Sequence, residues 1–137
     1  IIDGVSGRVY TSVLTINEGV QEKFATKSSA TGVVAHDCST GHIFRHSSIS
    51  ADFTANFTSL ILEQGYATTM TLSLDQGNTA YMPTAVQIGG VAQTIVWQGN
   101  SAPSGTDNGE DVVSFSILRT GASAYTVLGQ RVSFGGV

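Results

Sequence analysis

Apolar and polar residues alternate along several stretches of the chain, and this alternation predicts β-strands. Phe53, Ala55 and Phe57 alternate with threonine and asparagine residues, and residues 69–74 and 113–118 repeat the pattern. A period of two places one set of side chains on a buried face and the other set on an exposed face. No longer stretch follows the period of a helix, and we therefore predict an all-β protein.

Glycines predict where these strands turn. Gly89-Gly90 can supply two residues with positive φ, which predicts a tight hairpin turn within residues 86–94. Gly129 predicts a second turn, between strands over residues 125–128 and 131–134. The sixteen glycines are spread through the chain, where they would also interrupt helices.

The spacing of strands and turns predicts a single β-rich body preceded by an arm. We expect about eight to ten short strands in an antiparallel, jelly-roll-like β-sandwich, separated by loops such as residues 101–109. Residues 29–137 would form this sandwich. Residues 1–28 would form an N-terminal arm, with a strand over residues 9–16, that adds to the body or to a neighbouring copy. An ordinary first hairpin of the same sandwich is the alternative.

Charge and cysteine content exclude several classes of function. Charged residues make up 12% of the chain, against about 25% in an ordinary globular domain. The net charge is −4, and the cations are scattered: Arg8, Lys23, Lys27, Arg45, Arg119 and Arg131. Without a basic stripe we expect no nucleic-acid binding. No apolar run is long enough for a membrane-spanning helix, so we expect no membrane insertion. One cysteine excludes an internal disulfide.

His36, Cys38, His42 and His46 form the most conspicuous cluster of reactive residues. It contains all three histidines and the only cysteine of the chain. Imidazole and thiolate groups suit tetrahedral Zn²⁺, and a turn after Cys38 could bring the later histidines back towards the earlier pair. These four residues are therefore the candidate zinc ligands. The alternative is a half-buried hairpin that holds them without a metal, since their spacing matches no standard zinc pattern.

The chain offers little support for catalysis. Cys38 has His36 and Asp37 beside it in sequence, but neighbouring residues of a strand face opposite sides and cannot form a catalytic triad. The acidic group Asp107, Glu110 and Asp111 lies beside a glycine-rich loop. It is more typical of turns and solvated charges than of a carboxylate pair across a cleft or of a calcium loop. We predict that the protein is not an enzyme.

Aromatic residues provide candidates for ligand binding. Five could form a platform on which sugars stack: Tyr10, Tyr66, Tyr81, Trp97 and Tyr125. Trp97 ends an apolar strand, which favours burial in the core. Tyr81 precedes Met82-Pro83 in an expected loop, and Asn100 begins another loop. Tyr81 and Asn100 are therefore the candidate ligand-binding residues.

The order of several short segments resembles a module of tailed-phage virion proteins, of the tail-fibre type found in cyanophages and other marine phages. The segments are GVVAHDC (32–38), DFTANFT (52–58), QIGGVAQTIVWQG (87–99), SAPSG (101–105), DVVSF (111–115) and YTVLGQ (125–130). Each is common among β-proteins, and their order carries the resemblance.

The resemblance implies a non-enzymatic structural protein on the surface of a phage particle. We expect a fibre or tail-appendage domain that contributes to assembly and to host attachment. Its expected partners are copies of itself, as a homotrimer, together with other virion proteins and host surface glycans. The alternatives are a glycan-binding receptor-recognition module and a capsid decoration protein.

Overall fold

The computed structural model describes residues 7–135, and their regular secondary structure is almost entirely β-strand. The strands are β1 (Phe24–Lys27), β2 (Ala30–Asp37), β3 (Ile43–His46), β4 (Ile49–Thr58), β5 (Ala67–Asp75), β6 (Pro83–Ile88), β7 (Val91–Gln93), β8 (Ile95–Trp97), β9 (Gly109–Arg119) and β10 (Tyr125–Gly135). Two 3₁₀ turns, η1 (Cys38–Thr40) and η2 (Gln98–Asn100), each have three residues. The all-β prediction is confirmed, and the ten strands of the described residues fall in the expected range.

The strands form two sheets whose members alternate along the first part of the chain. The six-stranded sheet has the order β1-β3-β5-β9-β10-β8, and the four-stranded sheet has the order β2-β4-β6-β7. From β1 to β6 each strand lies in the sheet opposite its predecessor. As a result β1, β3 and β5 are parallel neighbours, and so are β2, β4 and β6.

This winding supports the prediction of an antiparallel, jelly-roll-like sandwich only in part, because two sheets are present but their pairing is mixed. Among the pairings of residues 7–135, five are parallel and three are antiparallel. Parallel neighbours need a crossover connection. For the four parallel pairs among β1 to β6 a strand of the opposite sheet supplies it, whereas β8 and β10 are connected through β9 of their own sheet. Antiparallel pairing is confined to β5–β9–β10 and to the β6–β7 hairpin.

The predicted hairpin at Gly89-Gly90 is confirmed. Ile88 pairs with Val91 across the turn, and the two glycines have φ angles of 56° and 83°. The predicted turn at Gly129 is wrong, because β10 runs through this residue and pairs with β9 along its whole length. A Cβ atom on Gly129 would lie 2.7 Å from the ring of Trp97, so this glycine serves close packing.

The arm before β1 differs from its prediction. Only Val9 of residues 9–16 forms a bridge, and the rest of that stretch is not a strand, so the strand prediction is wrong. Residues 9–23 are all exposed. The arm enters the six-stranded sheet at β1, which pairs with β3 at the sheet edge. The division into an arm over residues 1–28 and a body over residues 29–137 stays a prediction.

A single hydrophobic core lies between the sheets. It is formed by Ala30, Cys38, Phe44, Phe53, Ala55, Phe57, Leu62, Met70, Leu72, Leu74, Met82, Val86, Ile88, Val113, Phe115, Ile117 and Val127. Phe57 of the four-stranded sheet meets Phe115 of the six-stranded sheet, with ring centroids 6.0 Å apart. Trp97 packs against Phe115 at 5.7 Å and is half-buried, as its apolar strand predicts. Within residues 7–135, no helix is long and apolar enough to cross a membrane.

Candidate functional site

Two histidines meet inside the core. His36 lies near the end of β2, and His46 is the last residue of β3, so the two come from opposite sheets. Both are fully buried, and their Nε2 atoms lie 2.8 Å apart. One Nε2 must donate a hydrogen and the other must accept it, so if both rings are neutral they are different tautomers.

Aromatic rings enclose this pair. The ring of His36 lies 4.9 Å from that of Phe44 and 5.4 Å from that of Phe57, and the ring of His46 lies 5.1 Å from that of Phe53. Within the described residues, neither Nδ1 atom has a hydrogen-bond partner. The pair is thus held by one polar contact in an otherwise apolar environment.

This environment keeps both histidines neutral. Burial lowers the pKa of His36 to about 3, and the neighbouring His46 and Lys27 act in the same direction. The carbonyls of Val34 and Asn56 face the His36 ring and oppose the shift, but neither makes a hydrogen bond with Nδ1. Burial and Lys27 together lower the pKa of His46 to about 4. At neutral pH the pair therefore carries no charge.

The other two candidate zinc ligands bond to groups other than the two imidazole rings. The Cys38 Sγ is 3.6 Å from the carbonyl oxygen of His36 and 3.9 Å from the Met70 Sδ, and burial raises the pKa of the thiol to about 11. The His42 Nδ1 is 2.9 Å from the Thr68 Oγ1. In the part of the chain that the structure describes, no group of three or more histidine, cysteine or acidic side chains is placed to hold a metal. Of the four predicted ligands, the structure brings together only His36 and His46.

Cys38, His36 and Asp37 do not form a catalytic arrangement either. The Asp37 Oδ1 accepts hydrogen bonds from the N–H of Ser39, at 3.0 Å, and from its hydroxyl, at 2.7 Å. Asp37 thereby caps η1 at the surface. The Cys38 thiol is protonated at neutral pH, whereas a nucleophilic cysteine has a lowered pKa.

The three acidic residues of the 107–111 region are each engaged separately. Asp111 is fully buried and bonds to Arg131, to the N–H and hydroxyl of Thr106, and to Gln76. Burial raises the pKa of Asp111, but these bonds outweigh it, so the net pKa lies below its ordinary value.

The other two carboxylates have different partners: Glu110 contacts Arg45 and Ser73, and Asp107 accepts from the N–H of Ala80. Each of the three carboxylates is therefore engaged by its own set of partners.

The predicted ligand-binding residues occupy different environments. Tyr81 is half-buried, and its main chain is held by the side chain of Gln76, which donates to its carbonyl at 2.8 Å and accepts from its N–H at 3.1 Å. Asn100 is exposed at the end of η2, with a positive φ of 56°. Neither residue lines the groove described next.

A surface groove of about 950 Å³ lies between the arm and the residues that precede and begin β5. Tyr10 and Tyr66 line it, and both side chains are more than half exposed. Arg8 and Glu63 form an ion pair across it at 2.6 Å, and His42 lies in its wall. The sequence identified both tyrosines as candidates but not the groove, because the groove depends on the path of the arm.

Comparison of the chain with protein-family models, with curated proteins and with solved structures gives no match.

Proposed function

We propose that this protein is a non-enzymatic structural domain of a phage virion, exposed at the particle surface in a fibre or tail appendage. In this role it assembles with copies of itself, in an expected trimer, and with other virion proteins. The ordered segments that resemble tail-fibre modules support the proposal. The low content of charged residues suits a protein that packs among copies of itself.

The exposed apolar side chains of the arm carry the self-assembly part of the proposal. Val13, Leu14 and Val20 are 77%, 65% and 68% exposed, and Ile16 lies among them. Single exposed apolar residues are ordinary, but a concentration of them in one segment is typical of an interaction surface. A second copy of the chain would cover them.

The burial and pairing of the reactive side chains support a non-enzymatic role. His36 and His46 are neutral and sealed in the core, Cys38 is a buried thiol, and Asp111 is paired with Arg131. An enzyme needs such groups at an accessible site, with pKa values suited to proton transfer or nucleophilic attack. In the described residues these groups hold the fold together.

Imaging of intact particles tests the proposed location. A cryo-EM map of a phage that carries this chain should place it in a three-fold fibre or tail appendage. A position flat on the capsid would replace the fibre proposal with capsid decoration. Absence of the chain from purified particles, measured by mass spectrometry, would contradict any virion role.

The groove supports a second candidate, the recognition of host surface glycans. Exposed tyrosine rings can stack on pyranose faces, and the Arg8–Glu63 pair can exchange hydrogen bonds with sugar hydroxyls. Tyr66→Ala should abolish binding to a glycan array. Tyr81→Ala is the matched control, since Tyr81 lies outside the groove. Loss of binding only in Tyr81→Ala would transfer the site to the loop predicted from the sequence, and no binding by the native protein would remove this candidate.

A further inference from the structure

Residues 13–16 have no regular secondary structure and pair with no strand among the residues that the structure describes. All four of their side chains are exposed, and three of them, two aliphatic residues and a threonine, are β-branched types that favour strands. Both ends of the arm are held by their own chain, through the Arg8–Glu63 ion pair at 2.6 Å and through the pairing of β1 with β3. The arm therefore presents a strand-prone loop at the surface.

β10 offers an open edge to which such a strand could add. On one side, β10 pairs with β9 along its whole length. On the other side, β8 covers only Val127, Leu128 and Gly129. Within the described part of the chain, residues 130–135 have no strand on this side. Every second residue of an unpaired edge presents its N–H and C=O groups to solvent, and these groups can pair with an incoming strand.

The other sheet edges carry features that hinder strand addition. β1 has four residues and ends in Lys27, and β7 and β8 have three residues each. β2 begins with a register shift between Ala30 and Gly32. Short edges, lysines and bulges are the means by which β-proteins avoid pairing between molecules.

Residues 130–135 lack these protective features. They contain no lysine and no proline, and their pairing with β9 has no register shift. Their one charged residue is Arg131, whose guanidinium group is engaged by Asp111 at 3.0 Å. The end of β10 is thus a six-residue edge of the described fold that lacks proline as well as the lysine and the register shift found at other edges.

The side chains of the two segments are also complementary. Val132 and Phe134 are about half exposed, and they lie on the same face of β10 because they are two residues apart. Once residues 13–16 form a strand, Leu14 and Ile16 would share one of its faces for the same reason. A strand added at the β10 edge can therefore place its apolar side chains beside Val132 and Phe134.

We infer that residues 13–16 of one copy add as a strand to residues 130–135 of a second copy. This inference rests on the proposed function, because it names the surface through which the copies assemble. Main-chain hydrogen bonds would supply the pairing, and the apolar side chains would supply the burial.

Crosslinking between differently tagged copies tests the inference. Leu14→Cys would be made in one copy and Val132→Cys in the other, and the two would be co-expressed and treated with a short bismaleimide. The native protein is the blank, because its only cysteine, Cys38, is buried. Thr71→Cys replaces Val132→Cys in the control, since Thr71 lies on central β5 and its neighbours Met70 and Leu72 are buried on the opposite side.

The inference predicts a crosslinked product that carries both tags with Val132→Cys and little or none with Thr71→Cys. Equal yields at the two positions would indicate packing of one sheet face on another and would overturn strand addition. Self-association without the Leu14–Val132 product would overturn this inference while leaving the assembly proposal standing. A protein that remains a single chain at every concentration would overturn both.

A variant with Leu14→Cys and Val132→Cys in one chain tests whether the strand that adds to β10 comes from the same chain or from a second copy. At high dilution, an efficient crosslink within single chains would show that the arm reaches its own β10 edge, and this result would overturn exchange between copies. The inference predicts that this crosslink disappears on dilution.

Discussion

His36 and His46 reach the core from opposite sheets, and their Nε2 atoms lie 2.8 Å apart. Each ring is neutral, and each Nδ1 lacks a hydrogen-bond partner within the described residues. The contact is a polar link between β2 and β3, which are adjacent in sequence but belong to different sheets. In the unfolded chain the two rings would have ordinary pKa values near 6.5.

The pair makes the protein sensitive to acid. The pKa values of His36 and His46 are lowered to about 3 and about 4 in the folded protein, so below pH 6.5 the unfolded chain takes up protons that the folded protein does not. The free energy of unfolding has its full value above pH 6.5, and it decreases as the pH falls from 6.5 towards the pKa values of the folded protein. The expected loss is up to roughly 1.4 kcal/mol per histidine for each pH unit. Urea unfolding measured between about pH 7.5 and 5 isolates this effect, because carboxylates remain ionised there.

Histidine variants identify the source of the pH dependence. The double variant His36→Leu and His46→Leu should flatten the dependence between about pH 6.5 and 5, since the unfolded chain then lacks the two imidazoles that take up protons in this range. His42→Gln is the matched control, because it removes a histidine that bonds Thr68 outside the buried pair. An unchanged slope in the double variant would contradict the assignment to the buried pair.

The Asp111–Arg131 pair should contribute strongly to stability. Arg131→Gln leaves a fully buried carboxylate without its cation and should lower the free energy of unfolding by about 3 kcal/mol. Arg45→Gln is the matched control, because Arg45 pairs with Glu110 at the surface and its loss should cost less than about 1 kcal/mol. Denaturant unfolding at neutral pH measures both, and equal losses would contradict a special role for the buried pair.

Gly129 should resist substitution because of its contact with Trp97. In Gly129→Ala the new Cβ atom would lie 2.7 Å from the indole ring, and the resulting displacement should cost about 1–3 kcal/mol. Trp97 is the only tryptophan, so its fluorescence should shift towards that of an exposed indole. Gly77→Ala is the control, since a Cβ atom there has no neighbour within 4 Å. An unchanged emission spectrum in Gly129→Ala would show that the added methyl group is accommodated without displacement of Trp97, which would contradict this prediction.

Cys38 should be inert in the folded protein. Burial, with a smaller effect of Asp37, raises the pKa of its thiol to about 11, so little thiolate exists at neutral pH. Ellman's reagent should react with Cys38 only after unfolding in urea. Immediate stoichiometric reaction of the native protein would mean that η1 opens readily and that the thiol is available to a ligand.

Local patterns in the sequence predicted individual strands well. The alternation around Phe53, Met70 and Phe115 corresponds to β4, β5 and β9. The hairpin at Gly89-Gly90 was predictable because it requires only local backbone freedom. The turn predicted at Gly129 was wrong, because the sequence alone does not distinguish a glycine that allows close packing of an indole ring from a glycine that forms a turn.

Long-range pairing was not predictable from these patterns. Alternation shows which side of a strand is buried but not which sheet the strand joins, so the parallel winding of β1 to β6 left no local signal. For the same reason, the sequence grouped His36, Cys38, His42 and His46 but could not separate them. His36 and His46 meet because β2 and β3 face one another across the core, whereas His42 bonds Thr68 away from them.

Sedimentation velocity over a range of concentrations tests the central claim, which is that the protein assembles with copies of itself through its exposed arm. The native protein should sediment as a species heavier than one chain, and Leu14→Ser should shift it towards the single chain. Val33→Ser, which changes an exposed valine on β2, should leave the assembly intact. A native protein that sediments as a single chain at every concentration would contradict the account.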